Sequence, residues 1–178
     1  MKKLAVIVLI SGMAIFGSNA LDAKAIGGKV IYNKMMDDYT DPGQDFDNNL
    51  SGGGFFELGP SFYGSRFRPG LDWVTLENDN GRYARVYGIH LDWYWFFMDG
   101  KTFNPFIGFG PSLNYINYRD NHSIDDDSDA GIEGFAGFEF NFSSPWSLIA
   151  EARLVQHDIA DLGARIFKLS VGIVYYFN

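Results

Sequence analysis

Residues 83–97 read YARVYGIHLDWYWFF, and this stretch decides the fold. It lies between Asn80-Gly81 and Asp99-Gly100, two residue pairs that favour the two-residue turn of a β-hairpin. One alternate set within it is Tyr87, Ile89, Leu91, Trp93, Trp95 and Phe97, and the other is Val86, Gly88, His90, Asp92, Tyr94 and Phe96. A period of two puts these sets on opposite faces of one long strand. The first face is wholly apolar and aromatic. The second mixes small, charged and aromatic groups.

The design repeats towards the C-terminus. Ile107, Phe109, Leu113 and Tyr115 alternate with Phe106, Gly108, Gly110, Ser112 and Asn114. Pro111 falls inside this strand, where a ladder N–H is needed, so a bulge or kink is expected there. Gly131 to Phe142, Leu148 to Val155 and Ile166 to Phe177 alternate in the same way. Towards the N-terminus the pattern weakens. Gly28–Met36, Gly53–Tyr63 and Leu71–Glu77 read as strands, with a turn expected over Ser65–Pro69. The sum is eight strands, an even number, as single-chain bacterial outer-membrane barrels have. The expected fold is all-β, an eight-stranded antiparallel up-and-down transmembrane β-barrel spanning residues 26–178.

A soluble barrel of lipocalin type is the structural competitor. It would bury its apolar face and show a charged face to water. Here the second face carries Gly108, Gly110, Gly137 and Gly172, small residues suited to a narrow filled lumen. The first face is large and apolar on strand after strand, which lipid tolerates and water does not. Trp93, Trp95, Phe97, Tyr175 and Phe177 cluster at strand ends, where an interfacial aromatic girdle belongs on the periplasmic side.

Residues 1–25 read as a secretory signal peptide. A basic Met1-Lys2-Lys3 start precedes the apolar Leu4–Phe16, and small-residue patterns allow cleavage after Ala20 or Ala25. No later apolar run is long enough for a membrane helix. The formal net charge of −8 excludes a nucleic-acid partner, which needs clustered Lys and Arg. The absence of cysteine excludes a disulfide framework and Cys-based zinc sites. Long loops face outward in such barrels, which places Asp37–Leu50 and Arg119–Ala130 outside and both termini in the periplasm.

The stretch Asn104-Pro105-Phe106-Ile107-Gly108-Phe109-Gly110-Pro111 resembles the N-P-Y/F-x-G-x-G strand of the small outer-membrane β-barrel superfamily of Gram-negative bacteria, with its OmpA-, OmpX- and OmpW-type barrels. The terminal strand ending Tyr175-Tyr176-Phe177-Asn178 is similar to the signal read by the barrel-assembly machinery, with Asn178 after the Phe as a departure. The resemblance covers the whole mature chain. It implies an outer-membrane location, contact with outer-membrane lipids and lipopolysaccharide, and a monomer. It identifies no substrate and implies no cofactor.

The inward faces carry Glu57, His90, Asp92, Glu133, Glu139, Glu151, Arg153 and Lys168. Estimated hairpin registers bring Glu139 near Glu151 and Arg153 near Lys168, so these four are expected to form one lumen salt-bridge cluster that plugs the barrel. His90 and Asp92, two apart on one strand, form a polar pair. Without further His or Cys ligands this pair is half a metal site at most, so no metal and no catalytic residues are assigned. Acidic loops and the rim arginines Arg82 and Arg85 are candidates for contact with lipid phosphates, through divalent ions or directly. Three functions follow in order. The first is a structural or surface-interaction barrel. The second is a narrow channel for small or apolar solutes, as in the OmpW type. The last is a lipid A-deacylating enzyme, for which His122-Ser123 is the one adjacent pair, in a loop away from the membrane wall.

Overall fold

The computed structural model describes residues 23–36, 49–60, 64–77, 83–118, 127–157 and 165–177. The signal segment, apart from its last three residues, lies outside them, as do Arg82, the pair His122-Ser123 and most of the acidic loops. Eight strands follow in order: β1 Ala23–Met35, β2 Asn49–Pro60, β3 Arg66–Glu77, β4 Tyr83–Phe96, β5 Phe103–Tyr118, β6 Asp127–Ser143, β7 Trp146–His157 and β8 Arg165–Tyr176. Each pairs antiparallel with the next, and β8 returns to β1, so the sheet closes into a barrel without edges. The connections 61–65, 97–102 and 144–145 share one end, called here the turn end. The connections 36–48, 78–82, 119–126 and 158–164 share the other, the loop end.

Several expected boundaries move. β2 occupies 49–60 rather than 53–63, and β6 begins at Asp127 rather than after the loop residue Ala130. The largest change is in β3, which starts at Arg66, so most of the expected turn Ser65–Pro69 is strand. Arg66 to Gly70 looks like a turn because it combines charge, proline and glycine. It is held extended by β4, with pairs from Arg66↔Tyr94 to Gly70↔His90.

The bulge expected at Pro111 is absent. Pairing of β5 with β6 runs unbroken through Pro111↔Ile132. On the β4 side the ladder has pairs His90↔Ser112 and Trp93↔Phe109 with a gap between, and the register is the same before and after it. Pro69 behaves alike, opening a gap in the β2–β3 ladder between Phe55↔Gly70 and Leu58↔Phe67. A proline lacks one N–H, and losing pairs to one neighbour does not require a slip. The irregularities fall instead at Ala23/Ala25, Leu58/Pro60 and Asn141/Ser143, all towards the turn end, where barrel rims bend.

Alternation now has a direction. Val30, Phe56, Leu71, Ile107, Ile132 and Ile173 are exposed on the outer wall, while their neighbours in sequence point inward and are buried or half-buried. The lumen's apolar layer is Ala25, Phe55, Tyr94, Phe106, Phe135, Ile149 and Val174. Tyr94 lies 4.5 Å from Phe135 and 5.0 Å from Phe106, ring centre to ring centre. Small residues make the space for it. A Cβ on Gly108 would lie 2.2 Å from the Phe135 ring, and one on Gly70 would lie 2.3 Å from His90 Cε1.

Candidate functional site

Two ionic levels fill the lumen on either side of that aromatic layer. The first lies near the turn end. Arg68 on β3 is fully buried and donates from Nε to Glu57 Oε2 at 2.8 Å. Its Nη2 donates to the same oxygen at 2.6 Å and reaches across to Glu139 Oε2 on β6 at 2.8 Å. The guanidinium also stacks near the rings of Phe55, Tyr94 and Phe96, at 4.7 to 5.2 Å. Such cation–π contact suits an arginine shut away from water. Tyr176 on β8 donates its hydroxyl to Glu139 and accepts from Arg66 Nη1 at 2.8 Å. Arg66 pairs in turn with Glu57 and with Asp99 of the β4–β5 turn, and its guanidinium covers the Phe96 ring at 4.3 Å. Arg66 thus lies over the Phe96 ring near the turn end, tied to the β4–β5 turn through Asp99.

The second level centres on Arg153 of β7. Its Nη2 donates to Asp92 Oδ2 on β4 at 2.7 Å, its Nε to Glu151 Oε1 at 3.0 Å, and its Nη1 to Glu133 on β6. Lys29 of β1 reaches Glu151 at 3.3 Å, passing close over Gly172, and Tyr94 donates its hydroxyl to Glu151 at 2.7 Å. His90 Nδ1 faces Asp92 Oδ2 at 2.8 Å, and its Nε2 faces Asp72 Oδ1 of β3 at 3.3 Å. Lys168 of β8 completes the chain, donating to Asp72 Oδ2 at 3.1 Å. Buried charges persist only when paired, and every cation here has a carboxylate.

The four residues expected as one cluster are therefore divided. Glu151 and Arg153 are in contact, and Arg153 stands opposite Lys168 in the β7–β8 register. Lys168, however, pairs with Asp72, and Glu139 belongs to the other level with Arg68 and Tyr176. Glu139 stands opposite Ile149, not Glu151. The single cluster fails because its missing partners come from β1 and β3. Arg66 and Arg68 escape a reading that takes them as turn residues, Asp72 sits on a strand of poor alternation, and Lys29 has no facing that the sequence declares. Only the alternation of β3 taken back to Arg66 brings Arg66, Arg68 and Asp72 together on one face. His90 and Asp92 are paired, within a longer network than two residues. Among the described residues no group of three or more His, Cys, Asp or Glu is placed to hold a metal ion.

The outer wall carries two aromatic belts. At the turn end, Trp95 stacks on Phe109 at 5.4 Å, Trp146 meets Tyr175 at 4.8 Å, and Tyr175 meets Phe177 at 5.6 Å. Trp93 packs on Phe67 at 5.1 Å, and Phe97 is exposed. The second belt lies towards the loop end and is not among the sequence expectations. Trp73, Tyr87 and Tyr115 are cross-strand neighbours in one exposed row, with Tyr32 exposed on β1. Tyr87 on β4 and Phe97, the residue after its end, mark the two belts. At about 3.3 Å per residue and a tilt of about 40°, they are about 25 Å apart along the barrel axis. That is the height of the apolar band in outer-membrane barrels.

No protein-family model matches the chain, and no curated protein matches it. Solved structures do match. Neisserial surface protein A superposes with a TM-score of 0.66 at 15% identity, over 90% of this chain and 100% of that chain. A major outer membrane protein from Thermus thermophilus gives 0.58 at 11% identity, over 85% of this chain and 99% of that chain. The N-terminal β-barrel domain of Pseudomonas aeruginosa OprF gives 0.54 at 10% identity, over 86% and 98% respectively. The closed eight-stranded antiparallel barrel is the fold that this chain shares with these solved barrels.

Proposed function

We propose that this chain is an integral outer-membrane protein with a structural or surface-interaction role, its lumen plugged and its loops facing outward. The observation that carries this reading is the pair of arginines crossing the lumen, Arg68 from β3 to Glu139 on β6 and Arg153 from β7 to Asp92 on β4, with an aromatic layer between them. A solute moving along the axis would have to part both levels, and breaking a buried ion pair costs about 3–5 kcal/mol. In this reading both termini are periplasmic, the barrel is a monomer, and β8 presents the signal for the barrel-assembly machinery. Its other partners are outer-membrane lipids and lipopolysaccharide.

Planar-bilayer recording tests the plug. Chain whose insertion is verified by protease protection is expected to give no discrete conductance steps. Stable single-channel steps from the same preparation would overturn the plug in favour of a narrow channel.

A further inference from the structure

His90 joins two ion pairs of the second ionic level. Its Nδ1 faces Asp92 Oδ2 on β4 at 2.8 Å, and Arg153 of β7 donates to that same oxygen at 2.7 Å. Its Nε2 faces Asp72 Oδ1 on β3 at 3.3 Å, and Lys168 of β8 donates to the other oxygen of Asp72 at 3.1 Å. The ring is buried and packed flat on β3, where a Cβ on Gly70 would lie 2.6 Å from its Nε2.

A neutral imidazole has one N–H and one lone pair. With a carboxylate oxygen at each nitrogen, the neutral ring would set its lone pair against an oxygen, whereas an imidazolium donates to both. The charge count agrees. Among the described residues this level holds four carboxylates, Asp72, Asp92, Glu133 and Glu151, and three other cations, Lys29, Arg153 and Lys168. It is neutral only with His90 as the fourth cation. The charged groups facing the ring are Asp72 of β3, Asp92 of β4 and Arg153 of β7, while β5 sets the uncharged Ser112 opposite His90. Lys168 of β8 acts on the ring through Asp72, and Glu133 of β6 and Lys29 of β1 act through the Arg153 network. β2 contributes Gly53, close against Asp72.

We propose that His90 is a proton-operated latch of the plug: its imidazolium ties the Lys168–Asp72 pair to the Asp92–Arg153 pair, and loss of one ring proton unties them. The latch regulates the plug proposed above and rests on that reading. Alkali removes the proton, turns one donor into a lone pair and leaves four carboxylates against three cations, so the folded barrel loses stability as the pH rises. The first level does not respond in this way. Its cations are Arg66 and Arg68, and arginines keep their charge. The turn-end half of the lumen therefore stays shut when the latch releases.

Urea unfolding of the refolded full chain in micelles, at pH 6 and at pH 10, tests the latch with His90→Gln alongside. Between these two pH values the unfolding equilibrium constant of the unaltered chain should rise about tenfold more than that of His90→Gln, the worth of one hydrogen bond to a charged group. The two chains should differ at pH 6 and converge at pH 10. Equal changes in both would overturn the latch. Nitrogen-15 spectra give a readout that leaves position 90 unaltered. With His122→Asn and His157→Asn in place, His90 is the remaining histidine and should show two ring N–H signals at pH 6 and one at pH 10. One ring N–H at pH 6, or two at pH 10, would also sink the proposal. Planar-bilayer recording at pH 6 separates the two readings. Conductance steps there remove the plug itself, whereas a silent lumen with equal pH dependence in the two chains removes only the latch.

Discussion

Arg68 is the residue on which the turn-end level depends. It holds two carboxylates, Glu57 and Glu139, and is itself fully buried. Arg68→Met should therefore cost about 3–5 kcal/mol, because Glu139 is left with only the Tyr176 hydroxyl and Glu57 with only Arg66, rather than because one bond is lost. Urea unfolding of refolded protein in micelles reads this directly. Adding Glu57→Gln and Glu139→Gln to Arg68→Met should recover much of the loss, since no unpaired charge then remains at that point. If the triple variant is as unstable as the single one, packing against the aromatic rings outweighs charge. Two glycines on β6 make a second residue-scale contrast. A Cβ on Gly137 would lie 2.1 Å from the Ala150 carbonyl oxygen, whereas one on Gly134 meets nothing within 4 Å. Gly137→Ala should destabilise by about 1–3 kcal/mol through overpacking. Gly134→Ala should be neutral or stabilise by up to about 1 kcal/mol, through reduced freedom of the unfolded chain. Equal unfolding midpoints for the two variants would show that the backbone near Gly137 yields.

At the scale of the element, the strands differ in how openly their sequences declare them. β4 to β8 alternate large apolar with small or charged residues, because one face forms the exposed apolar outer wall and the other a crowded lumen. β3 does not declare itself, since Arg66, Arg68, Pro69 and Gly70 are all residues common in turns, and its extended form is imposed by pairing with β4. The same limit applies to the lumen. Alternation tells which charges point inward, as it does for Glu57, Glu133 and Arg153. It does not tell which charges meet across the axis, because Arg68 and Glu139 lie on strands three apart and no spacing in the chain encodes that distance. The first strand carries a processing prediction. β1 begins at Ala23, and Ala25 is buried in the lumen and paired with both Glu57 and Tyr176. Cleavage after Ala25 would strip those pairs, so the mature chain should begin at Leu21, after Ala20. Intact-mass measurement of protein from the membrane fraction gives the answer, and a chain beginning at Ile26 would refute it.

Along the described strands the arrangement usual in water is inverted: the buried charges lie in the lumen and large hydrophobic side chains are exposed on the outer wall. In the proposed membrane reading the two aromatic belts would set the depth of the bilayer, and the ion pairs between β1, β3, β4, β6, β7 and β8 brace the barrel from within. The chain has no cysteine, so single cysteines can be placed without disturbing native thiols. The most direct measurement is the accessibility of spin labels at Ile132, Ala136, Phe138 and Phe140 on β6, with the protein reconstituted in lipid vesicles. All four labels should collide freely with oxygen dissolved in lipid and stay hidden from a water-soluble nickel reagent. Labels at these positions that meet the nickel reagent and not oxygen would contradict the inverted barrel.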